Sequence, residues 1–69
     1  MNGMFFGIVD QDNNFIVFGQ NCSGEYTVFT KVPASSASFF NCEFDANNVR
    51  DKCGEAYPES VFYIKRFEF

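Results

Sequence analysis

The chain has no histidine among its 69 residues and only three cysteines. Without an imidazole, it lacks the base of Ser-His-Asp and Cys-His catalysis and the usual nitrogen ligand of zinc. Cys22, Cys42 and Cys53 include no C-x-x-C pair, and a structural zinc site needs four ligands. We therefore expect no cofactor, no metal ion and no disulfide framework. We interpret Cys42 and Cys53 as small core residues and Cys22 as an exposed thiol.

Charged residues are also scarce, and basic ones are scarcer than acidic ones: five Lys and Arg oppose nine Asp and Glu. The net charge of −4 disfavours non-specific attraction to nucleic acid and to anionic membranes, so we expect partners with basic surfaces. Phosphate-binding glycine loops and nucleophile elbows are absent. Asp51 and Glu55 are the one carboxylate pair that helical spacing places together. We expect no enzymatic activity.

Long hydrophobic runs are missing as well. The apolar run at residues 4–9 follows no Lys or Arg and is too short for a signal sequence or a membrane span, so we expect a cytoplasmic location. Aromatic residues are abundant instead, with eleven Phe and three Tyr. Each contributes roughly 1.5–3 kcal/mol when fully buried, which helps so short a chain form a single domain over residues 1–69.

One helix is predicted over residues 45–57. Its apolar residues recur at spacings of three, four and seven, which places them on one helical face. They are Ala46, Val49, Cys53, Ala56 and Tyr57. Asp45 is the expected N-cap, and Pro58 ends the helix. The period then changes to two, which predicts a strand over residues 61–69.

Two apolar runs, residues 4–9 and 15–19, flank five turn-forming residues and predict a β-hairpin. Asp10, Asp12 and Asn14 also match the first three ligand positions of a calcium loop. An aromatic residue occupies the position where that loop requires glycine, so we favour the turn. Both faces of the first strand are apolar, and one helix covers only one of them, which indicates a partner or self-association.

Residues 25–32 alternate in polarity and predict a third strand. Residues 39–44 predict a short fourth strand, and a helix over residues 36–44 is the open alternative. The predicted fold class is therefore α+β, with an antiparallel sheet of four to five strands and one helix packed on one face.

The predicted helix and its flanks form the most acidic part of the chain. Its carboxylates are Glu43, Asp45, Asp51, Glu55 and Glu59. Like charges four residues apart destabilise a helix by a few tenths of a kcal/mol, so stability alone does not select the Asp51 and Glu55 pair. We predict that the five carboxylates contact a basic surface on a partner protein. The alternative is an ordinary solvated helix face.

In size, acidity and lack of a catalytic set, the chain resembles small phage-encoded inhibitor proteins, including anti-CRISPR proteins; no motif is shared. The resemblance implies a protein that binds a host complex and blocks its DNA-binding surface, as a partial DNA mimic, without contacting nucleic acid itself. The competing hypothesis is a structural or accessory module that associates, or forms a homodimer, through the apolar sheet face or the strand end at residues 67–69.

Overall fold

The structure is a computed structural model that describes residues 3–68. The strands are β1 (Met4–Asp10), β2 (Phe15–Gln20), β3 (Tyr26–Val32), β4 (Phe39–Phe40) and β5 (Phe62–Glu68). The helix α1 (Glu43–Ala56) connects β4 to β5, and a 3₁₀ turn (Ala34–Ser36) precedes β4. Every described strand pairing is antiparallel. The predicted α+β class, with one helix and an antiparallel sheet, is confirmed.

Strand β1 is the centre of the sheet. β5 pairs with it along the whole length of both strands, without a bulge. The opposite edge of β1 is shared, because β2 pairs with it only at Phe15 opposite Val9, and β4 pairs further along at Phe39 opposite Gly7. β2 continues away from β1 and pairs with β3, which forms the far edge of the sheet.

The turn between β1 and β2 is fixed by the side chain of Asp10. Its carboxylate accepts the backbone N–H groups of Asp12 and Asn14, both at 2.9 Å. Asn13 adopts the left-handed conformation with φ 65°, which asparagine tolerates better than most residues. The predicted turn at residues 10–14 is confirmed.

The hairpin strands diverge beyond this turn because Ser38 lies against β2, just before β4 pairs with β1. The N–H of Phe18 donates to Ser38 Oγ at 2.9 Å, and the N–H of Ser38 donates to the carbonyl of Ile16 at 3.0 Å. The backbone and the hydroxyl of Ser38 together thus take the place of a neighbouring strand beside β2. The predicted hairpin is confirmed at its turn and at the antiparallel pair of Val9 and Phe15.

The prediction of a fourth strand over residues 39–44 is wrong beyond Phe40. Glu43 and Phe44 form the first turn of α1, and the open alternative of a helix over residues 36–44 is also wrong for most of its length. Cys42 occupies the N-cap position in an extended conformation, and its carbonyl accepts the N–H of Ala46 at 3.1 Å. The strand therefore ends at Phe40, and the helix begins two residues earlier than the predicted residue 45.

Two predictions for single residues fail for the same reason. Asp45 is not the N-cap, since the helix begins before it and no side chain caps the first turn. Cys42 is exposed rather than a core residue, because it occupies the N-cap of the helix and not a position in a strand. Cys53 is buried and Cys22 is exposed, as expected.

The core lies between α1 and one side of the sheet, which we call the covered face. It consists of Ile8, Ile16, Val28, Val49, Cys53 and Phe62. Ala46 is also fully buried, so the predicted apolar face of the helix is confirmed over three of its five residues. Ala56 and Tyr57 are exposed instead, because the helix ends there.

The opposite side of the sheet, which we call the open face, carries a cluster of aromatic rings. Phe5 stacks on Phe67 with ring centroids 4.9 Å apart, and Phe39 meets the edge of Phe5 at 5.4 Å and of Phe15 at 5.7 Å. The ammonium of Lys65 lies about 6 Å above the rings of Phe15 and Phe67. The apolar second face predicted for β1 therefore packs against its own neighbours.

Candidate functional site

The orientation of α1 determines which of its side chains reach solvent. Its inward face is fixed by buried residues of the core, so the residues on the opposite side project outward. Four exposed residues at spacings of four, three and four form a single line on that side, which we call the outer stripe. They are Phe44, Asn48, Asp51 and Glu55.

Phe44 begins the outer stripe and is 71% exposed, the largest exposure among the large hydrophobic side chains of residues 3–68. Sequence reasoning missed it because the fourth strand was predicted to include it. Once the helix is extended to Glu43, Phe44 lies seven residues before Asp51 and eleven before Glu55, which are helical repeats. That spacing is the signal that identifies it.

Asp51 and Glu55 are brought together as predicted, and Glu55 is also held in place. The hydroxyl of Tyr26 on β3 donates to a carboxylate oxygen of Glu55 at 2.9 Å. The ammonium of Lys52 lies 5.6 Å from the centre of the Tyr26 ring. The hydrogen bond to Glu55, followed by burial and by the negative charge of Glu55, raises the pKa of Tyr26. One carboxylate of the outer stripe thus has a defined position.

The other predicted carboxylates do not join this pair in one patch. Glu43 and Asp45 lie in the first turn, about 160° apart around the helix axis, and Glu43 is about 18 Å along the axis from Glu55. Both suit the positive end of the helix dipole. Glu59 lies beyond the helix, in the turn closed by the hydrogen bond from the N–H of Ser60 to the carbonyl of Tyr57 at 3.0 Å.

Within residues 3–68, no ion pair neutralises any of the five carboxylates. The ion pair seen there joins Arg66 to Glu68 at 4.0 Å. All five are exposed. The acidic surface therefore consists of Asp51 and Glu55 on the C-terminal half of the helix, with Glu43 and Asp45 in its first turn and Glu59 just beyond its end.

The cysteines and the remaining polar residues show no further constellation. Burial raises the pKa of the Cys53 thiol to about 11. Across the part of the chain that the structure describes, no three His, Cys, Asp or Glu side chains are grouped as metal ligands would be. No described helix is long and apolar enough to cross a membrane. Comparisons of the chain with protein-family models, curated proteins and solved structures give no match.

Proposed function

We propose that this protein is a non-enzymatic inhibitor of the phage-encoded, anti-CRISPR-like class, which acts in the host cytoplasm. It binds a host protein complex and occupies a basic, nucleic-acid-binding surface of that complex with α1. One observation carries the proposal: the exposed ring of Phe44 and the carboxylates of Asp51 and Glu55 share the outer stripe.

The chemistry of the outer stripe defines the partner surface that fits it. Carboxylates on neighbouring turns suit Arg and Lys side chains that otherwise hold phosphates. An exposed aromatic ring suits a desolvated apolar pocket, where interface hot spots are commonly found. The partner surface is therefore an apolar pocket beside a basic rim, and the carboxylates select it and accelerate encounter.

The test measures binding of the chain to the complex that it captures from its native host. In the site variant, Asp51→Lys and Glu55→Lys are combined. In the control variant, Asp12→Lys and Glu25→Lys are combined at exposed positions outside α1. Each pair changes the net charge from −4 to 0, because each of the two substitutions adds two positive charges. A difference between the variants therefore reports the site rather than the overall charge.

We expect the site variant to lose at least roughly tenfold in affinity and the control to lose much less, with the difference shrinking at high salt. A competing DNA duplex should displace the wild-type protein from the complex. Phe44→Ser should weaken binding by roughly tenfold or more without lowering stability, because the ring is exposed. Equal affinities of the two charge variants would contradict the proposal.

The competing function is an accessory module that binds through the open face. Phe29 and Tyr63, which are 58% and 54% exposed there, favour it. Phe67 is half-buried in the aromatic cluster, and Phe69 lies outside the described residues. Such a module would bind with little dependence on salt and would lose affinity on Phe29→Ser, whereas the helix-based inhibitor would not.

A further inference from the structure

The described sheet has two outer edges, formed by β3 and β5, and these edges differ in their backbone geometry and hydrogen bonding. At β3, the hydroxyl of Tyr57 donates to the outward carbonyl of Val28 at 2.8 Å. The strand also bulges at Lys31, which adopts a left-handed φ of 60° beside a shift in the register with β2. An occupied carbonyl and a bulge are both features that prevent a further strand from adding to an edge.

The outer edge of β5 has neither feature. Its pairing with β1 is regular over all seven residues. The backbone groups of Asp10 are directed into the turn with β2, where its N–H donates to Asn14 and its carbonyl accepts from Asn13. The backbone N–H and C=O groups of successive residues point to opposite sides of a strand. The backbone groups of Val9 and of every second residue before it therefore point toward β5. The backbone groups of the residues opposite them in β5 point toward β1.

The outward backbone groups of β5 therefore belong to Phe62, Ile64, Arg66 and Glu68. No hydrogen bond within residues 3–68 reaches these groups. The N–H of Val61 fits this alternation, since it is directed inward and donates to Gln11 Oε1 at 3.0 Å. β5 thus presents a regular ladder of donors and acceptors to solvent.

We propose that this edge binds a second copy of the chain, with the two β5 strands antiparallel and Ile64 opposite its counterpart. In this register Phe62 lies opposite the partner's Arg66, and about six backbone hydrogen bonds form between the outward groups. Tyr63 lies opposite the partner's Lys65 on the open face. This register opposes no two like charges, and each of these pairings occurs twice.

The charges of β5 select this register over its neighbours. Pairing all seven residues would place Lys65 directly opposite its counterpart, and the next register would oppose the two Arg66 side chains. Like charges directly opposite each other destabilise a strand pair. Lys65 does not obstruct the edge, because its ammonium is drawn over the rings of Phe15 and Phe67 and lies 3.4 Å from Asn13 Oδ1.

The test measures the mass of the full chain by analytical ultracentrifugation over a range of concentrations. The wild type should approach twice its 7.9 kDa monomer mass as concentration rises. Amide exchange of Phe62, Ile64 and Arg66 should slow in parallel. Arg66→Pro removes an outward N–H and should abolish the dimer, whereas Arg66→Ala keeps that N–H and should retain it.

A second pair of variants tests the register and does not depend on a proline being tolerated. Tyr63→Lys places a cation opposite the partner's Lys65, and Tyr63→Glu places an anion there; both change an exposed side chain. The Lys variant should dimerise roughly tenfold more weakly, and the Glu variant at least as well as the wild type. A wild type that stays monomeric up to roughly millimolar concentration overturns the proposal. Equal dimerisation of the Lys and Glu variants, or an intact dimer in a folded Arg66→Pro variant, overturns it as well.

Discussion

The two faces of the sheet shield their apolar side chains from water in different ways. On the covered face, α1 presses aliphatic side chains together, and Ile8, Ile16 and Cys53 have no exposed surface. On the open face no second layer is described, and the aromatic rings shield one another while remaining partly exposed. On this face, large flat side chains take the place of a second layer, because packed rings bury one another.

The difference teaches that an apolar strand face does not by itself indicate a partner. The rings of Phe5, Phe15 and Phe67 have partners within the chain, and the ammonium of Lys65 lies about 6 Å from the rings of Phe15 and Phe67. Among the described aromatic rings of the open face, Phe29 and Tyr63 lie outside this cluster and are more than half exposed. The exposed aromatic surface of the open face is therefore smaller than the alternation of apolar residues in the sequence suggests.

The largest expected effect is on the covered face. Val49 is 8% exposed in the contact between α1 and the sheet, so Val49→Asp forces a carboxylate into an apolar site. We expect the free energy of unfolding to fall by about 3 kcal/mol or more. Urea denaturation measures it. Asn48→Asp, one residue earlier on the exposed side, is the matched control and should change stability by less than about 0.5 kcal/mol. Equal stabilities would mean that the helix packs through another face.

A smaller effect on the covered face follows from Cys53. Burial raises the pKa of its thiol from 9.0 to about 11, so folding favours the protonated form. Its contribution to stability is complete below pH 9 and is lost as the pH rises through 11. A shift of this size corresponds to about 3 kcal/mol. Because Tyr26 also titrates at high pH, the measurement compares the pH dependence of unfolding in the wild type and in Cys53→Ala. The variant should lose less stability between pH 9 and 11, and parallel curves would contradict the prediction.

The sequence predicted those parts of the fold that depend on local chemistry. Helical spacing located Val49 and Cys53 in the core, and Asp10 with its turn-forming neighbours located the hairpin turn. Non-local contacts were not predictable. Ser38 sits in a small, polar stretch typical of a loop, and nothing in that composition indicates that its hydroxyl pairs with the backbone of Phe18, twenty residues away.

The candidate site was predictable to a similar extent. The spacing of Asp51 and Glu55 placed them together, because it repeats within one helix. Six residues from Phe39 onward contain too few periods to distinguish a strand from a helix, so the start of α1 and the exposure of Phe44 were missed. The hydrogen bond between Tyr26 and Glu55 joins residues 29 positions apart, which no local pattern reveals.

The smallest expected effect concerns the open face and comes from Gly7, at the centre of the aromatic cluster. A Cβ atom added there would lie 3.1 Å from a ring carbon of Phe39 and 3.2 Å from one of Phe15, closer than ordinary van der Waals contact. In Gly7→Ala both rings must shift, and we expect a loss of about 1–2 kcal/mol in urea denaturation. Gly19→Ala, where an added Cβ meets no atom within 4 Å, is the control and should be neutral or slightly stabilising. If the two variants were equally stable, the rings of the open face would be loosely arranged, and self-shielding could not explain how this face avoids a second layer.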